Sequence, residues 1–304
     1  MAPFVRSWRA AQSLDDRVFD IINVIVLSGA LLLVLYPLYF VVIASFSGPD
    51  RIYAGDVWLL PKDATLEGSA RIFRDPAIWI GFRNSALYAV LGTLISVTLI
   101  LTGGYALSRN DLYGRNIFTL FFVATMFFDG GLIPRYLLVR DLHLLNTIWA
   151  VVLPGAVGVW NLIIARTFFQ TTIPDELREA AFIDGASNFQ FFWKIALPLS
   201  LPLIAVMVLI HVVGNWNAFF DALIYLTDER LYPLQLVLRN IVTQSNVAAQ
   251  SAMLTDIESY AAQQRVAELI KYGMIVIASA PLLIFYPFVQ KYFVKGLTIG
   301  AIKG

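Results

Sequence analysis

The sequence predicts an all-α membrane protein with six transmembrane helices. Three observations carry that prediction. The 304 residues are 59% hydrophobic and only 14% charged, where a soluble domain of this length carries about 25% charged residues. Apolar runs near the ~20 residues needed to cross a bilayer recur six times. These runs are continuously apolar rather than alternating, so they suit helices and not barrel strands.

The elements follow in order. Residues 1–20, "MAPFVRSWRAAQSLDDRVFD", are polar and mixed in charge. The apolar run after them is too long for a signal-peptide core and lacks a small-residue cleavage site, so it reads as an uncleaved first span. The expected spans lie at about 21–46, 84–108, 116–134, 144–166, 195–220 and 268–290. An even number of spans puts both termini on one side. The basic residues of the short loop "RNDLYGR" and of the tail 291–304 assign that side to the cytoplasm. Residues 47–83 and 221–267 then form outer loops, and residues 171–194 a cytoplasmic loop. In the second outer loop Thr255 stands three residues before Glu258, a capping-box spacing that predicts a helix leading into the sixth span.

Several function classes are excluded. A net charge of +1 without a basic block gives no footprint for nucleic acid. With zero cysteines there is no disulfide, thiolate metal site or cysteine nucleophile. Two isolated histidines, His143 and His211, do not have metal-site spacing. No GxxxxGK[ST] occurs, so the chain has no phosphate-cradling loop and no nucleotide chemistry of its own. No convergent acid, base or metal group within the spans suggests an enzyme. An ion-coupled secondary transporter of a small polar solute is the alternative class, and it commonly shows inverted repeats; none is visible.

The cytoplasmic loop carries the most specific signal, "DELREAAFIDGASNFQFFWKIALPLS". Pro174 suits a first helical turn, and Asp175 and Glu176 suit the positive helix end. Leu177, Ala180 and Ala181 fall on one narrow face. Gly185 suits a stop, and Ser187 followed by Gln190 suits a new helix start. Pro198 and Pro202 should kink or break the next span. The pattern is a short surface helix, a turn, and a second helix entering the bilayer. It fits either an interfacial anchor or a docking element.

Within that stretch, Glu179-Ala180-Ala181, three residues, Gly185, nine residues and then Ile195-x-Leu197-Pro198 resemble the EAA motif of ABC importer permeases. "PLYFVVIASFS", "FFDGGLIPRYLLVRDLHLLNT", "NWNAFFDALIYL" and "KYFVKGLTIGAIKG" are similar to the carbohydrate-uptake (MalG-like) branch, within it to the LplC/YtcP-type subgroup. The resemblance implies the type I importer permease fold in a bacterial cytoplasmic (inner) membrane. It also implies a second homologous permease, two ATPase subunits that bind ATP and Mg, an extracytoplasmic solute-binding protein and a saccharide substrate, with alginate one option among acidic and neutral chains. Glu179, Ala180, Ala181, Asp184, Gly185 and Ala186 would form the element that couples to an ATPase, with Ala180 and Ala181 the close-packed face. Lys295 and Gly296 of the tail would reach the ATPases. Loops near 232–239 and 245–265 would meet the binding protein.

Polar residues inside spans are the candidates for a substrate path. They are His211, Asn215, Trp216 and Asn217 in the fifth span and Asp129 in the third. Amides and aromatic faces suit sugars, yet the same asparagines suit bonds between helices, and Asp129 suits a turn at the membrane rim. Arg135 and Arg140 could attract an anionic saccharide or serve as interface charges.

Overall fold

The computed structural model describes residues 14–253, 270–287 and 290, and among these there is no strand. The helices are α1 (Leu14–Ser45), α2 (Pro49–Tyr53), α3 (Glu67–Arg74), α4 (Pro76–Ser108), α5 (Arg115–Phe127), α6 (Leu132–Asp141), α7 (Ile148–Val152), α8 (Val159–Thr172) and α9 (Asp175–Ile183). They continue as α10 (Asn188–Leu199), α11 (Leu201–Asn217), α12 (Phe220–Tyr225), α13 (Leu234–Met253) and α14 (Ile270–Pro287). The expected capping box at Thr255, and Lys295 and Gly296, lie outside the described residues.

Two compact units divide the chain, residues 1–72 with 245–276 and residues 73–244 with 277–304. In the first, α1 carries an 18-residue apolar stretch with no buried residue, while Ile43, Ala44 and Ser45 of its last turn are buried. Past its end the chain folds back on itself. The Gly48 and Thr65 amides donate to the Lys62 and Phe46 carbonyls at 3.0 and 2.9 Å. Arg51 pairs with Asp56 and Asp63. Phe40 meets Tyr272 edge-on.

The second unit is built around α4. Asp75 accepts from the Ala77 amide at 2.9 Å and Pro76 fills the first helical position, so the helix starts well before the charge-free run at 84–108. Its buried positions recur every three or four residues, and many are small: Gly81, Ser85, Ala89, Gly92, Ser96 and Gly104. Small residues let membrane helices approach closely. Gly104 faces Ala165 of α8, and Gly92 faces Asn215 of α11. Farther along, Val97, Ile100 and Leu101 join Phe169, Ala181, Phe191, Ala196 and Met207 in one core cluster.

The remaining apolar runs are broken. α5 and α6 meet at 118°, where Gly131 takes φ +84°, a backbone that L side chains avoid. The stretch 144–166, expected as one span, forms the separate helices α7 and α8. Pro154 and Gly155 lie in the gap; proline removes a helical donor and its ring clashes with the preceding turn. α10 and α11 are bent by 79°. Here a π turn covers Phe192–Ala196, Pro198 deletes a ladder bond, Pro202 sits in the first turn of the new helix, and buried Ser200 bonds back to the Ala196 carbonyl at 2.7 Å.

Candidate functional site

The segment that carries the EAA-like motif folds as a helix, a turn and a helix. Pro174 is the extended residue just outside α9 rather than part of its first turn. Asp175 and Glu176 occupy that turn, at the positive end of the helix dipole. α9 stops at Gly185, which takes φ +84°. There the Gly185 amide donates to the Phe182 carbonyl and the Ala186 amide to the Ala181 carbonyl, at 3.0 and 2.9 Å. This closes the orphan carbonyls of the last turn. α10 opens with a complete capping box. The Ser187 amide donates to the Gln190 side chain at 2.9 Å, and the Gln190 amide donates to Ser187 Oγ at 3.3 Å.

The two alanines of the motif part company. Ala181 is buried in the core cluster with Phe169 and Phe191, so it is not part of an outward close-packed face with Ala180. Glu179, Ala180, Asp184 and Gly185 are exposed, and Ala186 is half-buried. Beside them the apolar side chains of Ile183 and Phe189 stand 87% and 71% exposed. An acidic, small-residue helix face flanked by bare apolar side chains can dock on a partner, and the inward Ala181 fixes which face that is.

An ionic cluster holds the start of α9 to the loop after α4. Arg109 pairs with Asp111 through both carboxylate oxygens. Arg178 reaches Asp111 at 3.7 Å and Asp175 at 3.2 Å. The Asn110 side chain donates to Asp175 at 2.8 Å, and Arg109 also donates to Asn188 at the head of α10. The Arg109 guanidinium, lying against the Tyr105 and Phe182 rings, holds the Asp111 carboxyl down at about 2 and is itself pushed up by the bond to Asp111. A cleft of about 170 Å³ remains between Tyr105, Gln170, Asp175 and Arg178. In the sequence, Arg109 and Arg115 serve only as topology markers. Asn110 lies 65 residues from Asp175, so no local spacing announces the pairing.

The substrate-path candidates separate too. His211 Nε2 lies 3.3 Å from the Asn161 side chain of α8, and Asn215, one turn on, packs against Gly92. Trp216 is buried, donates to the Ala278 carbonyl at 2.9 Å and meets Phe82 edge-on; it fastens the fold rather than offering a ring to a sugar. Asn217 is exposed. Asp129 is exposed and accepts from the Gly131 amide at 3.1 Å, shaping the break before α6. Arg135 pairs with Asp221 at 3.2 Å and Arg140 with Asp141. Among the described residues no cluster of ligating side chains could hold a metal ion.

Comparison with known proteins gives the context. The family model described as the inner membrane component of binding-protein-dependent transport systems matches residues 77–299. Protein LplC of Bacillus subtilis is 39% identical over 288 residues, covering 95% of this chain and 96% of its own. The polygalacturonan/rhamnogalacturonan transport system permease protein YtcP of the same organism is 39% identical over 293 residues, covering 96% of this chain and 100% of its own. A crystal structure of a bacterial ABC transporter involved in the import of the acidic polysaccharide alginate contains a chain 34% identical to this one. It superposes with a TM-score of 0.81 over 93% of this chain and 99% of that one. With its helices in the arrangement of that importer, this chain belongs to the binding-protein-dependent transport system inner membrane components, the non-catalytic permease subunits of ABC importers.

Proposed function

We propose that this chain is one of two permease subunits of an ATP-driven importer for oligo- or polysaccharides, with acidic chains the first candidates. The substrate class follows the relatives, one carrying polygalacturonan in its name and one belonging to a transporter involved in alginate import. In this reading six spans cross the membrane: α1, α4, the bent pairs α5–α6 and α10–α11, the broken pair α7–α8, and α14. Both termini face the cytoplasm. A second permease completes the path, a binding protein delivers saccharide at the outer face, and two ATPase subunits hold ATP and Mg.

Coupling is assigned to Glu179, Ala180, Asp184 and Gly185, with Ala181 and Ala186 setting the pose of α9, and to the tail residues Lys295 and Gly296. The observation that carries the assignment is the exposed acidic face of α9 beside bare Ile183 and Phe189, anchored at its other side by Arg178 and Asp111. An anchor helix lying in lipid would instead present large apolar residues opposite Lys or Arg. His211 and Asn215 are the remaining path candidates, because both are half-buried on one side of α11.

The test reconstitutes the complete transporter and measures ATPase assembly, saccharide-stimulated ATP hydrolysis and uptake. Combining Glu179→Lys with Gly185→Pro should abolish ATPase docking and uptake; survival of both would refute the assignment. Uptake should persist when ion gradients are collapsed with ATP maintained, and its loss there would favour the ion-coupled alternative.

A further inference from the structure

The first loop, residues 47–83, reads from the sequence as wholly outside the membrane, and one part of it does not fit that placement. The hydroxyl of Tyr39 donates to the backbone carbonyl of Leu59. Tyr39 belongs to α1, six residues before its last residue, Ser45. At ~1.5 Å of rise per residue that is about 9 Å below the helix end. Helical side chains slope toward the helix N-terminus, so the hydroxyl lies no higher than its own turn. Three residues on, the Lys62 carbonyl accepts from the Gly48 amide and the Lys62 amide donates to Ser47 Oγ, which places Lys62 at the helix end. Three residues can span up to about 10 Å. The distances close: from Lys62 back to Leu59 the loop runs down the side of α1.

The side chains at that depth are apolar and bare. Trp58, Leu59 and Leu60 are 68%, 68% and 72% exposed. The Trp58 indole N–H donates to the Gly55 carbonyl, so the ring turns no unsatisfied donor outward. The charges flanking the segment stay together above it, with Arg51 paired to Asp63 at 2.7 Å and to Asp56 at 3.2 Å. At this level α1 shows a mixed surface: Ile43, Ala44 and Ser45 are buried and Phe40 packs on Tyr272, while Leu38 and Val42 are exposed, and these exposed apolar side chains continue the patch toward the bare apolar stretch of the helix. Aromatic residues with a satisfied polar edge collect at the level of the lipid headgroups.

From this geometry we infer that Trp58, Leu59 and Leu60 form a wedge inserted into the bilayer beside α1, with acyl chains and the headgroup boundary as its partner. The wedge lies in the outer leaflet in the orientation proposed above, and it sets the depth at which α1 ends. It rests on α1 being a span and not on the coupling assignment.

A native chain without cysteine makes the test direct. Single cysteines replace Leu59, Leu60, Leu33 on the exposed spanning surface and Ala64 beyond Lys62, in the complete transporter with its other subunits cysteine-free, in lipid nanodiscs. Each carries a nitroxide whose relaxation by oxygen and by a water-soluble nickel chelate is measured. Labels at 59 and 60 should favour oxygen over nickel at least severalfold, at a depth between those at 33 and 64. Nickel access equal to that at 64 would put the segment in water. Exclusion of both relaxants would mean a protein partner covers it. Either result overturns the proposal. A label-free readout guards against perturbed assembly: lipids brominated high on the acyl chain should quench the emission lost in Trp58→Phe, and an unquenched Trp58 component would overturn the proposal equally.

Discussion

Gly103 and Gly104 are neighbours on α4, and a methyl group on each should have opposite consequences. A Cβ at Gly104 would lie 2.8 Å from Ala165 Cβ, 3.1 Å from the Arg166 backbone nitrogen and 3.2 Å from the Ala165 carbonyl carbon. Carbon atoms pack at about 3.5–4.0 Å, so α4 and α8 would have to part by about 0.7 Å or more. Backbone cannot rotate aside, and overpacking of this kind costs about 1–3 kcal/mol. A Cβ at Gly103 meets only Leu162 Cδ1, at 3.1 Å, the far end of a side chain that can shift by a few tenths of an ångström. Both substitutions gain the same helix propensity, about 1 kcal/mol, which cancels when the two are compared. Gly104→Ala should therefore be less stable than Gly103→Ala by about 1–3 kcal/mol. At roughly 2 °C per kcal/mol for a chain of this size, its thermal midpoint in nanodiscs should fall about 2–6 °C lower. Because Ala165 shares the core cluster with Ala181 of α9, uptake should fall as well. Equal midpoints, or a reversed order, would refute the close approach of α4 and α8.

Three further outcomes follow from particular contacts. The Asp111 carboxyl is held at about 2, below its ordinary 3.8, so its stabilisation is complete above pH ~4 and disappears as pH falls through 2. The side chain is 54% exposed, so solvent screening cuts the roughly 2 kcal/mol that such a shift implies to about 0.5 kcal/mol. Denaturation of Asp111→Asn and native protein should differ by that constant amount from pH 5 to 8 and converge toward pH 2; a difference that varies across pH 5–8 would point to another group. Asn84→Leu removes the donor that Arg230 and Tyr232 carbonyls share, at 2.8 and 3.0 Å. This costs about 1–3 kcal/mol, and amide exchange around Leu231–Leu236 should accelerate about tenfold or more, with unchanged rates refuting it. Trp216→Phe leaves the Ala278 carbonyl without its donor and should lower stability by about 1–2 kcal/mol while the KM for saccharide uptake stays unchanged; a raised KM with full stability would make Trp216 a substrate contact.

What could be read beforehand was local. The turn at Gly185, the box formed by Ser187 and Gln190, and the bend near Pro198 and Pro202 each depend on residues within a few positions of one another, so their spacing is their geometry. Apolar runs announced membrane helices but not their interruptions, because Gly130, Gly131, Pro154 and Gly155 barely disturb an averaged hydropathy while they end a hydrogen-bond ladder. Sidedness within the motif was illegible for a different reason. Ala180 and Ala181 are chemically identical, and only the position of Phe169 and Phe191 decides which is covered. The long pairings were invisible altogether. Asn84 finds its acceptors 146 and 148 residues away, and the Leu234 amide finds Ser85 at 149. Trp216 looked like a sugar platform until its N–H found Ala278, 62 residues on.

α4 is an unbroken rod of 33 residues, about 50 Å long, and it is bolted at two levels, one about a third of the way along and one just past its end. At one, Asn84, Ser85 and Tyr88 bond to the backbone of 230–234. At the other, Arg109, Asn110 and Asp111 grip the heads of α9 and α10. A tilt of about 5° sweeps the far tip of a 50 Å lever by about 4 Å, more than any hydrogen bond tolerates. The rod therefore cannot pivot alone. Whatever torque reaches it at the α9 end either carries the segment 230–234 along as freight or snaps one of the two couplings, so this part of the transporter moves as a single lever or not at all.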